Sequence, residues 1–128
     1  MVVADLDFFK TVNDALGHAG GDKVLVTFAR LLAENSEDGR IVGRIGGEEF
    51  AVLLPHMGID GATEWAEAVR SRQAAQDVGF DNGAITVTAS FGVAAGDSRS
   101  QLATLLDSAD RALYVAKLGG RNQIAVHT

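Results

Sequence analysis

The string Asp5-Leu6-Asp7-Phe8-Phe9-Lys10 is the first in the chain whose residue types could do chemistry. Alternate side chains of a strand share a face, so Asp5 and Asp7 can point the same way near a strand end. Adjacent carboxylates repel unless a cation or a proton relieves them. For an isolated D-x-D, two solvated acids remain the simpler reading. The second string is Gly46-Gly47-Glu48-Glu49-Phe50. It reads as a turn followed by solvated acids, yet glycines also let a phosphate or a base come close to the backbone. Glu48 follows the turn directly, where its carboxylate could meet Asp5 from a neighbouring strand. One Asp and one Glu, with backbone carbonyls and waters, make an all-oxygen donor set. Such a set suits Mg²⁺, which also takes phosphate oxygens from a substrate. Zinc fits poorly, because there is no cysteine and His18, His56 and His127 are scattered.

Positive charge is placed sparingly. Lys117 and Arg121 flank Gly119-Gly120, with Lys10 as a third cation. Cations at a helix C-terminus complement its dipole. They can equally clamp a phosphate, Arg as a fork and Lys as a point charge. A last group is Asn13 with Gly17-His18-x-x-Gly21-Asp22. Asp22 can be a helix N-cap and His18 a satisfied loop residue. Alternatively, a carboxylate accepts from guanine N1-H and N2-H while an amide donates to its acceptor atoms. Spacing alone does not choose between these.

These residues need elements to position them. Val2 to Leu6 is a short valine-rich strand. Phe8 to Leu16 is a short helix or turn. Asp22 to Glu34 has Val24, Leu25, Phe28, Leu31 and Leu32 on one helical stripe. Arg40 to Ile45 and Glu49 to Leu54 read as strands of a tight hairpin, with Gly46-Gly47 supplying positive φ. Asp60 caps a helix to about Ala75. Asp81-Asn82-Gly83 is a turn, and Ala84 to Ala94 one strand. Ser98-x-x-Gln101 is a capping-box pattern before a helix with Leu102, Leu105, Leu106, Ala109, Leu113 and Ala116 on one stripe. Gly119-Gly120 ends that helix, and Gln123 to His127 makes a last strand. Hairpin and helices in this order predict an α+β domain: a largely antiparallel central sheet flanked by helices, of ferredoxin-like or polymerase-palm type.

Composition sets the outer bounds. A chain of 128 residues is one domain. Lys and Arg total 11 against 17 Asp and Glu, a formal net charge of -6. That balance argues against a protein that coats nucleic acid. Disulfides and thiol nucleophiles are excluded by the absence of cysteine. No apolar run reaches the roughly 20 residues of a membrane span. MVVADLD has neither the basic start nor the apolar stretch of a signal peptide, so a soluble cytoplasmic protein is expected.

Together the strings D-L-D-F-F-K-T-V-N-D, G-H-A-G-G-D, R-I-G-G-E-E-F, T-A-S-F-G-V and A-D-R-A-L-Y-V-A-K-L-G-G-R-N resemble the GGDEF domain family of diguanylate cyclases. They run in family order from Asp5 to Asn122. The resemblance implies condensation of two GTP into cyclic di-GMP with release of two pyrophosphates. It implies that Asp5, Glu48 and the Leu6 carbonyl hold Mg²⁺. Glu49 would assist at the metal or deprotonate the attacking 3′-hydroxyl. Gly46 and Gly47 would let GTP lie against the hairpin, and Asn13 and Asp22 would read guanine. Lys10, Lys117, Arg121 and the backbone N-H groups of Phe8 and Phe9 would hold phosphates. One domain holds one GTP, so the family works as a homodimer with a shared site.

Two departures from the family pattern stand out. Members carry a helical D-x-L-T-x-L-x-N-R segment before the first strand, so the chain reads as a single GGDEF domain, residues 1–128, shortened at its N-terminus. A sensory or dimerisation region is expected upstream. Many members also carry an R-x-x-D product site before the hairpin. Here Glu37-Asp38-Gly39-Arg40 occupies that place, which predicts no feedback inhibition through it. Two other readings compete with a cyclase. One is a catalytically silent module that binds GTP and passes a signal. The other is a palm-type enzyme for another nucleotide, which Asn13 and Asp22 disfavour because adenine has no N1-H.

Overall fold

The computed structural model describes residues 1–35, 39–80 and 83–127. The elements run β1 (Val2–Leu6), α1 (Phe9–Glu34), β2 (Ile41–Arg44), β3 (Glu49–Leu53), α2 (Ile59–Ala75), β4 (Asp77–Phe80), β5 (Gly83–Thr86), β6 (Ala89–Val93), α3 (Leu102–Leu118) and β7 (Ile124–Val126). A five-stranded sheet has the order β2-β3-β1-β6-β7, and β4-β5 form a separate two-stranded ribbon. β1 lies antiparallel to both β3 and β6, and only the β6–β7 pairing of the main sheet is parallel. The β1-α1-β2-β3-α2-β6 core is the ferredoxin-like βαββαβ unit, so the expected α+β architecture holds.

The alternation of strand residues builds two cores. Val2, Ala4 and Leu6 of β1 join Phe50, Val52, Phe91 and Val93 under α1 and α2, which contribute Val24, Phe28, Leu32, Ala66 and Val69. Phe28 meets Phe50 and Phe91 edge-on, with ring centroids 5.5 and 6.3 Å apart. Met1, Val3, Ala51, Leu53 and Ala94 face the other way, onto Ala109, Leu113, Leu105 and Leu106 of α3. Asp5 and Glu49 are cross-strand partners in this register, so both carboxylates lie on the α3 side.

Several expectations need correction. The helices expected at 8–16 and 22–34 are separate segments that join at Gly17, which alone within α1 leaves helical geometry (φ 74°, ψ 176°). The second segment therefore starts before Asp22, and Asp22 caps nothing. Neither Gly46 nor Gly47 has positive φ. Four residues, 45–48, link β2 and β3, a length that does not require it. The N-cap of α2 is Gly58 rather than Asp60, whose carboxylate sits in the first turn. Residues 84–94 form two strands of different sheets, divided at Val87-Thr88, where Gln73 Nε2 donates to the Val87 carbonyl (2.8 Å). β4 was not foreseen at all. The capping box at Ser98 does not form. The Ser100 hydroxyl accepts from Asp97 N (2.9 Å) and Asp97 Oδ1 from Arg99 N (2.8 Å), a local turn that outcompetes the helix start. α3 begins at Leu102, which stands exposed instead of joining the apolar stripe. Glu37 and Asp38 of the expected product-site departure, and Asp81 and Asn82 of the expected turn, lie outside the described residues.

Candidate functional site

The C-terminal end of β1 carries the first functional groups. Asp5 Oδ1 is buried and accepts no hydrogen bond, with Lys117 Nζ at 3.4 Å as its counter-charge. Burial pushes the Asp5 carboxyl up to about 6; Lys117 opposes the rise, and the charges of Glu48 and Asp7 add to it. Lys117 also lies 3.9 Å from Asp7 Oδ1, so the two aspartates do share a side. The chain then enters α1 through Phe8 in left-handed conformation (φ 56°). The first helical hydrogen bond runs from Val12 N to the Phe8 carbonyl (3.1 Å). The preceding N-H groups, from Phe8 on, belong to the unpaired first turn where anions are favoured.

The β2–β3 turn is held by a residue that motif reading passed over. Arg44 donates from Nε to the Gly46 and Gly47 carbonyls (3.1 and 3.0 Å) and from Nη2 to Gly47 (2.6 Å). This staple fixes the turn that presents Glu48. Glu49 points away from Glu48's cleft, toward Asp110 of α3. Burial first, then hydrogen bonding and repulsion with Asp110, push Glu49 up to about 7.

Crowded carboxyls have a consequence for stability. Each binds its proton more readily folded than at its ordinary value of 3.8 (Asp5) or 4.5 (Glu49). The stabilisation by protonation is complete below those values and is lost as pH rises through about 6 and about 7. In the absence of divalent cations, the melting temperature is expected to fall between about pH 4 and about pH 7, by the equivalent of order 1 kcal/mol per group. Glu49→Gln should flatten the upper half of that fall. Thermal melts across the range check this, and a melting temperature that climbs with pH would contradict it.

A cleft of about 300 Å³ is lined by Phe9, Lys10, Asn13, His18, Asp22, Arg44, Gly47 and Glu48, with Leu25 at its floor. It collects Phe9, Lys10, Asn13, Asp22, Gly47 and Glu48 from the expected site, and adds Arg44 and His18. Gly21 makes room for this arrangement: a Cβ there would lie 1.7 Å from Asn13 Oδ1. Asp5, Leu6, Phe8, Gly46, Glu49, Lys117 and Arg121 do not line the cleft. Lys117 is at Asp5, and the Arg121 guanidinium carbon sits 4.6 Å from the Phe8 ring centroid. A larger cavity of about 570 Å³ lies at the opposite sheet end, between Met1, His56 and Asp97, and holds none of these residues. Among the described residues, no three His, Asp or Glu side chains converge as a metal cluster. Two carboxylates and a carbonyl remain the donor set, and the orphaned Asp5 Oδ1 fits a cation.

Asp7 differs from Asp5 although both belong to one D-x-D. It is 2% exposed. Its Oδ2 accepts from Thr88 Oγ1 (2.7 Å) and Asn122 N (2.9 Å), and its Oδ1 from Ser90 Oγ (2.7 Å). Sequence reading pairs Asp7 with Asp5 but gives it no partners of its own, and it gives Arg44 and Asp110 no role. Asp110 reaches Glu49 from a helix far along the chain, where no local pattern links the two.

Fold and site together define a class, an α+β palm-like domain with an acidic strand end beside a polar cleft. The chain matches the family described as diguanylate cyclase, GGDEF domain, over residues 1–123, and it belongs to that family. Diguanylate cyclase DgcP of Pseudomonas aeruginosa is 36% identical over 126 residues, 98% of this chain and 19% of that protein. Diguanylate cyclase VdcA of Vibrio cholerae is 37% identical over 133 residues, 97% of this chain and 38% of that protein. The chain thus spans well under half the length of these curated relatives. Among solved structures, the active GGEEF domain of a diguanylate cyclase from Vibrio cholerae superposes with a TM-score of 0.90 at 33% identity, covering 99% of this chain and 81% of that one. The GGDEF domain of DgcB from Caulobacter crescentus, solved in complex with c-di-GMP, gives 0.94 at 30% identity, covering 98% and 75%. Among the described residues, no helix is long and apolar enough to cross a membrane.

Proposed function

We propose that this chain is a single GGDEF domain that condenses two GTP into cyclic di-GMP and two pyrophosphates. The observation that carries this reading is the cleft itself. It sets Lys10, Asn13 and Asp22 of α1 against Glu48 of the hairpin, beside the buried carboxyl of Asp5. The motif of this chain reads G-G-E-E-F, as in the Vibrio cholerae domain described as active.

In this reading Asp22 accepts from guanine N1-H and N2-H, and Asn13 pairs with the remaining edge of the base. Lys10, Lys117, Arg121 and the first-turn N-H groups of Phe8 and Phe9 bind the phosphates. Gly46 and Gly47 leave space for the nucleotide along the hairpin. Asp5, Glu48 and the Leu6 carbonyl hold Mg²⁺, which neutralises charge on the triphosphate. For Asp5 to do so it must release Lys117, and that frees the ammonium for a phosphate. Glu49, raised to about 7, is suited to accept the proton of an attacking 3′-hydroxyl near neutral pH. One cleft of this size takes one nucleotide, so a second copy must bring the other, which makes the working unit a homodimer. GTP is a cytoplasmic substrate, and the domain is assigned there.

The test is to incubate the purified chain at high concentration with GTP and Mg²⁺ and read products by mass spectrometry. Cyclic di-GMP from the parent and none from Glu48→Ala is the expected result. A folded, GTP-bound parent that yields no product would leave a silent sensor instead.

Gly21→Ala probes the base site separately. Its Cβ must push the Asn13 amide aside, because a 1.7 Å separation from Oδ1 is impossible. GTP affinity is expected to fall roughly tenfold, the scale of one lost well-placed hydrogen bond. Isothermal titration with GTP and ATP checks it, since a general loss of folding would not narrow the gap between the two nucleotides.

A further inference from the structure

Four described non-glycine residues have left-handed backbone, and three of them meet in one place: Phe8 (φ 56°), Arg121 (φ 65°) and Asn122 (φ 47°). Such a conformation is unfavourable for bulky side chains and persists only where the surroundings impose it. Asp7 and Arg70 supply that imposition. Asn122 N donates to Asp7 Oδ2 (2.9 Å) and to Ser90 Oγ (3.1 Å). The Asn122 side chain is held separately, its Oδ1 accepting from Arg70 Nη1 of α2 (2.8 Å). Thr88 and Ser90 hydroxyls fix the Asp7 carboxylate in turn. Arg121, next in the chain to Asn122, is thereby set over the Phe8 ring. Its buried Nε makes no hydrogen bond, so packing and the loop backbone orient the guanidinium.

We propose that Asp7 is a positioning residue: by clamping Asn122 it holds the strained 119–122 loop and aims Arg121 at the nucleotide phosphates. The proposal rests on the GTP reading for the identity of the phosphates, but the clamp itself does not. With Oδ1 and Oδ2 both engaged, Asp7 can take a cation only by releasing the loop. Asp5, two residues earlier, has an oxygen that accepts no hydrogen bond and needs only to release Lys117.

Two readouts test this. In the nucleotide-free protein, amide hydrogen exchange at Asn122 is expected to be at least about tenfold faster in Asp7→Ala than in the parent. GTP dissociation constants should rise roughly tenfold in Asp7→Ala, as for displaced positioning groups generally. In an Arg121→Ala background the same Asp7 change should add clearly less than it does in the parent, the remainder being the share that runs through Lys117, 3.9 Å from Asp7 Oδ1. Unchanged Asn122 exchange, or Asp7 and Arg121 effects that simply multiply, would overturn the clamp. If Arg121→Ala alone leaves GTP binding intact, the phosphate role of Arg121 falls, and the exchange measurement still decides the clamp. Should Asp7→Ala fail to fold, Thr88→Val removes the hydroxyl that fixes the clamping oxygen, Asp7 Oδ2. It must then speed Asn122 exchange in the same direction, and no change there rejects the proposal.

Discussion

Replacing Asp5 by asparagine is expected to abolish cyclic di-GMP synthesis and, in the same protein, to raise the stability of the metal-free fold. The two effects have one origin. Asp5 ends a buried strand with one oxygen that accepts no hydrogen bond, and its carboxyl is raised to about 6 chiefly by burial. At about pH 8 the native state therefore carries a charge that it holds less easily than the unfolded chain does. A neutral isostere removes that strain, a gain of order 1 kcal/mol, partly offset because Lys117 loses its closer partner. The same charge is what a divalent cation requires. Removing one of two carboxylates from the proposed metal site is expected to cost roughly 10³-fold in turnover. Three measurements separate this from general damage. Asp5→Asn should melt higher than the parent without divalent cation, lose the parent's melting shift on adding Mg²⁺, and yield no product. A variant that melts lower and still cyclises GTP would place the metal elsewhere.

How far the sequence anticipates this site depends on the range of the interaction involved. The acids of D-x-D and G-G-E-E-F, and the strands that carry them, are set by local alternation. β1 and β3 therefore sit where the pattern puts them, and Asp5 faces Glu49 across the pair. The helical stripe at Val24, Leu25, Phe28, Leu31 and Leu32 is equally local, and all five side chains are buried. What the pattern does not carry is which partner a group finds. Residues 84–94 look like one strand because β propensity does not say which sheet a segment joins; the break at Val87 is imposed by Gln73 from α2. Ser98 matches a capping box, but Asp97 and Ser100 close a local turn around it, through the Asp97 and Arg99 N-H groups, before the helix begins. Asp7 and Asp5 read alike in sequence. They diverge because Thr88, Ser90 and Asn122, more than eighty residues away, fill the acceptor positions of one and leave the other open. Likewise, Lys117 reads as a helix-end cation and a phosphate ligand, and the structure gives it a third role as counter-ion of Asp5.

The other large effect is expected at Gly92, a residue that carries no side chain at all. This residue lies in β6, paired with Val3 of β1 on one side and Ala125 of β7 on the other. A Cβ built there would stand 2.0 Å from the Ala109 carbonyl oxygen, 2.3 Å from Leu113 N and 2.9 Å from Leu113 Cα. All three are backbone atoms of α3, so no side-chain rotation relieves the clash. The helix must lift, or the central strands must bend. Either response loosens Ala109 and Leu113 from the second core. Gly92→Ala is expected to cost about 3 kcal/mol, a drop of roughly 10 °C in melting temperature for a domain of this size. Gly43→Ala in β2 is the matched control: its added methyl meets nothing within 4 Å, and the change should stay within about 0.5 kcal/mol. Urea unfolding of the two variants decides the matter, and a Gly92→Ala protein within 1 kcal/mol of the parent would mean that α3 is not seated on the strand as described. The expectation reaches the site as well, since α3 carries Asp110 to Glu49 and Lys117 to Asp5. A helix raised at Gly92 withdraws both, and the two carboxyls should respond in opposite senses: Glu49 relaxes toward its ordinary value as Asp110 leaves, whereas Asp5 loses in Lys117 the charge that opposes its rise.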